Sequence, residues 1–394
     1  MSGRLIIPDL LSWVGEAARA ACPPAPPLVV TIPVRDEARR IGGCLDALAA
    51  QVDLSGRALP SDAFGVLLLL NNCRDGTADE IRRNTPRLPF ALRVVARELP
   101  PSHAHAGAAR RLAMDAAAGW LKAGDGRGAI LTTDADTRVA PDWIARHQAL
   151  FARSLDGVAG YVVGDEEESG SLPPDVRRRG RLESRYGRML TELRARIDPE
   201  PHDPWPCHAM AAGASLAVTL AAYEAIGGLP LRRVGEDRAL VAELLRRDAR
   251  IRHCPEIRVT TSCRLIGRAA GGMADTLRQR VADPNAPCDE TLEPVLDALH
   301  RNYWRAALRD RYETGRWGDR AWTAALGIAE DTATELDALP HFGAFWAAVE
   351  RLGPSLRRRR LHPVDLPVEI LRARGVLGWL RAQGDPPARL AAAG

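Results

Sequence analysis

Two aspartates one residue apart, Asp134 and Asp136, directly follow the apolar run 129–133. Carboxylates so placed suit a hard divalent cation, because Mg2+ and Mn2+ are held by one or two carboxylates with substrate phosphates completing the shell. Such a cation stabilises the charge that grows on a departing diphosphate. The same residues suit a plainer use, with Asp136 bracing a turn or capping the helix that begins near Pro141. A second acidic pair, Glu236 and Asp237, follows Gly227-Gly228-Leu229-Pro230 and Val234-Gly235 and opens a helical run to Arg246. It can supply a general base for an attacking hydroxyl, or favour the positive end of its helix. Local pattern leaves both pairs open.

The elements that must hold these residues alternate. Apolar runs at 28–33, 65–70, 91–96 and 129–133 read as strands, and 36–50, 75–83, 107–121 and 141–151 read as the helices that follow them. Four such pairs predict an α/β fold with a mostly parallel sheet between helices. Ligands bind such sheets beyond the carboxyl ends of the strands, where strand order reverses. Those ends carry Pro33-Val34-Arg35-Asp36-Glu37, Asn71-Asn72-Cys73-Arg74-Asp75-Gly76 and Asp134-Ala135-Asp136. After residue 165 the alternation loosens into a charged helical stretch at 176–197, a Pro- and His-rich loop at 199–208, and apolar order at 209–220 and around Ile251 and Ile257. From 275 onward the pattern is helical and broken by prolines. The organisation expected is an N-terminal extension at 1–27 with a short amphipathic helix around Leu10, Leu11, Trp13 and Val14, a catalytic domain at 28–270, and a helical appendage at 271–394 that shapes an acceptor site or mediates self-association.

Bulk properties narrow the classes. The formal charge is +4, and the cations are arginines spread along the chain, with Lys122 the one lysine. That is a poor case for nucleic acid. The dense run Arg357 to Arg360 reads as a solvated face in preference to a phosphate- or lipid-binding one, although peripheral contact with a membrane stays compatible with it. Seven cysteines without a repeated spacing do not make a disulfide framework, and a reducing cytoplasm is the simplest setting. No apolar run approaches the ~20 residues of a membrane-spanning helix, and no signal-peptide pattern opens the sequence.

Taken in order, Ile32-Pro33-Val34-Arg35-Asp36-Glu37, Asn71 to Thr77, Ala109-Arg110, Thr133-Asp134-Ala135-Asp136, Gly213-Ala214-Ser215 with Gly227-Gly228, and Gly235-Glu236-Asp237 resemble the family 2 glycosyltransferases of the GT-A fold. The resemblance runs from Leu28 to about Gly271. It implies transfer of one sugar from a nucleoside-diphosphate donor to an acceptor hydroxyl, with inversion and a divalent metal (Mn2+ or Mg2+). It further implies that Pro33, Arg35 and Glu37 line the nucleotide pocket, that Asn71 and Asp75 flank base and ribose, and that Arg110 lies near the nucleotide. Asp134 would stand near ribose or metal, Asp136 would be the principal metal ligand, and Asp237 would be the base with Glu236 beside it. Arg264 and Arg268, flanking Gly267, resemble a segment near the donor diphosphate, which guanidinium groups bind by paired hydrogen bonds.

The chain departs from the family at Asn71, where aspartate is frequent, and at Arg111, where asparagine is frequent, so the nucleotide base stays open. The Gln-x-x-Arg-Trp element of processive synthases is absent from the sequence, which favours single-sugar transfer. His103, His105, His202, His208 and His253, with Cys207 and Cys254, lack zinc spacing; His208 is the one placed to face an acceptor. The rivals are a sugar-nucleotide nucleotidyltransferase, whose Gly-rich phosphate loop is missing after the first strand, and a catalytically silent sugar-binding or scaffold protein on the same fold. No Gly-x-Gly-x-x-Gly follows that strand, and no P-loop lysine motif occurs.

Overall fold

Leu28-Val-Val-Thr-Ile is apolar on both alternating faces, as a strand covered on both sides requires. It forms β1 (Leu28–Val34), buried at every position except the half-buried Pro33. The structure is a computed structural model describing residues 26–267, 271–315, 317 and 320–383. The expected N-terminal helix and Arg268 lie outside the described residues.

After β1 come α1 (Ile41–Ala49), β2 (Gly65–Asn71), α2 (Thr77–Asn84), β3 (Ala91–Arg97) and α3 (Ala106–Lys122). Next are β4 (Ala129–Thr132), β5 (Thr137–Val139), α4 (Trp143–Phe151), β6 (Gly157–Gly164), α5 (Glu166–Gly170) and α6 (Pro174–Ile197). Then follow β7 (Leu216–Thr219), α7 (Leu220–Ala225), α8 (Glu236–Leu245), β8 (Ile251–Thr261) and α9 (Met273–Ala282). The chain continues through α10 (Val295–Thr314), α11 (Ala321–Leu326), α12 (Glu330–Asp337), α13 (Phe342–Leu352) and α14 (Leu366–Ala382).

The strands form one sheet in the order β3-β2-β1-β4-β7-β6-β8-β5. β1 pairs in parallel with β2 (Val30 opposite Val66) and with β4 (Thr31 opposite Thr132), and β2 pairs in parallel with β3. β7 runs antiparallel to both β4 and β6, so β6 points the same way as the first four strands. The order reverses between β1 and β4, which brings the loops after these strands to the crevice where α/β sheets bind ligands. Helix α3 lies against β1, β2 and β4. A Cβ on Gly65 would come within 2.7 Å of the Trp120 ring, so glycine there permits the close approach of helix to strand.

Two features differ from the pattern read in the sequence. The first helix begins at Ile41 and not at Asp36, because Asp36 takes a left-handed conformation (φ 53°) and its carboxylate accepts the Arg74 N–H at 2.7 Å. Aspartate tolerates that region better than most residues. Strands β5 and β6 were not legible, since the first is three residues long and the second, though eight residues long, carries glycine at 157, 160 and 164.

Packing divides the chain into two units that are discontinuous in sequence. One comprises the described residues of 26–168, 210–244 and 255–275, and the other those of 169–209, 245–254 and 276–383. In the second, α6 presents Val176, Arg179, Glu183, Tyr186 and Leu193 on one helical stripe. Tyr186 and Leu193 share a core with Val295 and Ala298 of α10 and with Leu366, Ile370, Ala373 and Leu377 of α14. A further core in this unit gathers Leu308, Trp322, Leu326, Phe345, Trp346 and Val349. A linear boundary at 270 follows the order of the motifs; α6, which lies before it, is packed by the helices that lie after it.

Candidate active site

The carboxyl ends of β1 and β2 are sewn together by short polar bonds. The Thr77 hydroxyl accepts the Glu37 N–H at 2.8 Å, and Asp75 accepts the Thr77 N–H at 3.0 Å and the Ala38 N–H at 3.2 Å. Asn72 is left-handed like Asp36 and ties the end of β2 to the loop after β3, accepting the Leu99 N–H at 3.1 Å. Left-handed non-glycine residues side by side at one rim are a common mark of a functional site. Arg35 donates to the Ala104 carbonyl at 2.8 Å. Asn71 is buried at the end of β2, and its side-chain oxygen has no partner among the described residues.

Two clusters of charge stand at this rim. In the first, Arg264 grips the buried Glu37 with both guanidinium nitrogens, one at 2.8 Å, and also reaches Asp136 at 3.1 Å. Burial, with Asp134 and Glu37 nearby, pushes the Asp136 carboxyl up to about 6, against the opposing pull of Arg264 and Arg40. Both burial, the larger cause, and the neighbouring acids disfavour its ionised form.

In the second cluster the buried Arg110 is the hub. It donates to Asp134 at 2.6 Å, to the Thr132 hydroxyl at 2.6 Å, to the Gly213 carbonyl at 3.1 Å and to Glu236 at 3.2 Å. Gly213 in turn donates its N–H to Asp237 at 3.0 Å. A Cβ at position 213 would lie 2.5 Å from the guanidinium carbon, so only glycine lets this backbone approach Arg110. Burial raises the Glu236 carboxyl despite the opposing Arg110, whereas Asp237 is half-exposed in the first turn of α8.

Apart from Asp75, which braces the Thr77 turn, the acidic site residues expected from sequence fall into two bonded groups, Glu37 and Asp136 on Arg264, and Asp134 and Glu236 on Arg110 with Asp237 attached through Gly213. Arg110, expected near the nucleotide, lies inside the protein with its donors engaged as described. His105 caps α3 by accepting the Ala108 N–H at 3.2 Å. His208 is buried in the second unit, its ring 5.6 Å from that of His253, and burial first and then His253 lower its pKa to about 4.

Sequence reasoning missed Glu168. It accepts Arg40 at 2.9 Å, the Ser262 hydroxyl at 2.6 Å and the Cys263 N–H at 2.7 Å, and so fixes the segment that carries Arg264. The acidic run 165–168 was the available signal.

Among the described residues, no group of three or more His, Cys, Asp and Glu is arranged to hold a metal ion by itself. A cation that takes one or two carboxylates and draws its remaining ligands from phosphate oxygens and water has no need of such a group. The raised Asp136 beside Asp134 fits that donor set.

Residues 29–213 match the family model described as glycosyl transferase family 2. No curated protein sequence matches the chain. Among solved structures, the chain is similar to mannosyltransferase PcManGT from Pyrobaculum calidifontis in complex with GDP-Man and Mn2+, at 19% identity and TM-score 0.44 over 83% of this chain and 86% of that one. It is similar to S. aureus TarS 1-349 in complex with UDP-GlcNAc, at 14% identity and TM-score 0.45 over 91% and 92%. A third is glucosyl-3-phosphoglycerate synthase from Mycobacterium tuberculosis in complex with Mn2+, UDP-Glc and phosphoglyceric acid, at 16% identity and TM-score 0.36 over 73% and 82%. By the family match and the sheet that carries its motifs, residues 29–213 are a family 2 glycosyl transferase region of the GT-A fold, and the chain is a glycosyltransferase.

Proposed function

We propose that this glycosyltransferase moves a single sugar from a nucleoside-diphosphate donor to an acceptor hydroxyl, by one inverting displacement with a divalent metal. The observation that carries the reading is the link through Arg110: one buried guanidinium holds Asp134, Glu236 and the Gly213 carbonyl, and the Gly213 N–H holds Asp237. Groups suited to the two ends of a displacement are thus braced against each other through a rigid interior contact.

In this reading Asp136 is the principal metal ligand with Asp134 beside it, and the bound cation supplies charge stabilisation for the leaving diphosphate. Arg264 donates to the diphosphate from its place between Glu37 and Asp136. Pro33, Arg35, Asn71 and Asp75 border the nucleoside. Asp237 accepts the proton of the attacking hydroxyl, its carboxylate aimed by the N–H groups of Gly213 and Arg238. Glu236, buried against Arg110, orients that arginine and leaves the base role to its half-exposed neighbour. Cytoplasmic residence is part of the proposal, and it is supported by the lack of a disulfide among the described cysteines.

The test is calorimetric titration with UDP, GDP and their sugar conjugates, with and without Mn2+, on the wild type and on Asp136→Ala. Binding that needs the metal and is lost in the variant is the expected result. A folded wild type that binds no member of a broad nucleotide panel would return the scaffold reading to first place.

A further inference from the structure

Helix α14 is apolar on two sides. One side, Leu366, Ile370, Ala373 and Leu377, is buried in the core shared with α6 and α10. The other is open: Val364, just before the helix, is 77% exposed, Val368 50%, Leu371 63% and Trp379 61%, with Gly375 and Gly378 exposed between them. Positions 364, 368, 371, 375 and 379 recur at steps of three and four, so they line one stripe of the helix surface. A contiguous apolar stripe facing solvent marks a contact surface, whereas singly scattered apolar residues do not.

The charge around the stripe selects its partner. Residues 357–382 hold seven arginines against two acids, Asp365 and Glu369, a formal excess of five where the whole chain carries +4. Four of the arginines are committed to carboxylates: Arg358 to Glu293 and Glu350, Arg359 to Asp297, Arg372 to Glu369 and Arg381 to Glu192. Arg357, Arg360 and Arg374 are exposed, and none has a carboxylate partner among the described residues. On the helical repeat Arg374 and Arg381 fall on one flank of the stripe and Arg372 on the other, and the run 357–360 leads into it.

We propose that α14 and the arginine run before it dock the protein on an anionic lipid surface. Aliphatic side chains and a tryptophan enter the boundary between headgroups and acyl chains, and the arginines meet lipid phosphates. Uncommitted guanidinium groups add attraction that a zwitterionic surface does not supply. A second copy of this chain would bring the same positive excess to the contact, so the charge favours a lipid surface over a dimer.

The proposal is separate from the donor chemistry and is tested without it. The full chain is sedimented with vesicles of phosphatidylcholine alone and with vesicles containing phosphatidylglycerol. The expected result is binding to the anionic vesicles that weakens with salt and is small on phosphatidylcholine. Arg357→Gln/Arg360→Gln/Arg374→Gln should lower the partition coefficient at least about tenfold, given several-fold per arginine near such a surface. Leu371→Glu/Trp379→Glu should lower it comparably; circular dichroism checks its fold, and the arginine variant carries the test if that fold is lost. Wild-type protein left in the supernatant with anionic vesicles overturns the proposal, as does binding that neither variant weakens. Self-association in sedimentation velocity that the stripe variant abolishes, with no vesicle binding by the wild type, overturns it in favour of a second copy.

Discussion

Both packing units bury arginines against carboxylates, but they leave the carboxylates in opposite states. In the helical unit Glu200 accepts Arg305 at 2.9 Å and also meets Arg309, Glu192 accepts Arg381 and Arg196, and Asp203 receives Arg194, Arg252 and His253. All three carboxyls are held below their usual range although burial opposes it in each. Asp337, with Arg320 as its partner, is raised by burial and is the exception. At the sheet rim the balance is reversed for two carboxyls, while Glu168, bonded to Ser262, Arg40 and the Cys263 N–H, stays lowered against burial. Asp136 and Glu236 are raised, because burial and neighbouring acids outweigh the arginines they share with Glu37 and Asp134. Shared arginines leave a deficit of positive charge where a cation and a substrate proton would be handled, and doubled arginines remove it where only packing is needed.

The largest effect that tests this contrast is on turnover. Asp237→Asn keeps the shape of the side chain and removes its basicity, so kcat should fall by about 10²–10⁴-fold while donor affinity stays within a few-fold. Steady-state kinetics with calorimetry separates the two; an unchanged kcat would move the base to Glu236.

A paired substitution of buried hubs comes next. Arg110→Met leaves Asp134 and Glu236 without their shared cation, and Arg301→Met takes from the buried Glu293 the closer of its two arginines, at 2.8 Å, and leaves it the more exposed Arg358 at 3.1 Å. Arg110→Met should destabilise by about 3–5 kcal/mol in urea unfolding, and Arg301→Met by less, since Glu293 keeps one arginine. At permissive temperature only Arg110→Met should weaken donor binding. Equal loss in both variants would mean that Arg110 supports folding alone.

The smallest effect is on the stability of the metal-free protein. The folded-state pKa of Asp136, about 6, lies above its ordinary 3.8, so the folded chain keeps a proton that the unfolded chain releases. That contribution is present below about pH 4 and is lost as pH rises through 6, a gross change on the order of 3 kcal/mol. Asp136→Asn should flatten the window between pH 4 and 6 and raise the melting temperature at pH 7 by a few degrees. An unshifted melting temperature would mean that Asp136 ionises as readily in the folded chain as in the unfolded one.

Much of the sheet was legible because its first four strands are short, largely apolar runs, broken in β3 by Arg93, and each precedes a stretch of helical length. β5 and β6 were not, since neither three residues nor a glycine-interrupted run carries a period-two signal. Among site residues, acids and arginines at strand ends could be named from order and spacing. Their bonding could not: whether Arg110 turns toward a ligand or inward depends on Gly213, 103 positions away, leaving room for a guanidinium. Glu168 was illegible for the same reason, because its partners Arg40 and Ser262 come from both sides of it in sequence at long range.

Lys122 ends α3, ion-paired with Glu224, and is the one lysine in the sequence. A lysine-specific endoprotease therefore has one cleavage point, immediately before the exposed loop 123–127. The cut parts the helix bearing Arg110 from the strand leading to Asp134 while leaving every side chain intact. The nicked protein is a two-fragment complementation system, in which fragments 1–122 and 123–394 can be varied separately and recombined, so that the coupling through that guanidinium is measured without changing a residue in it.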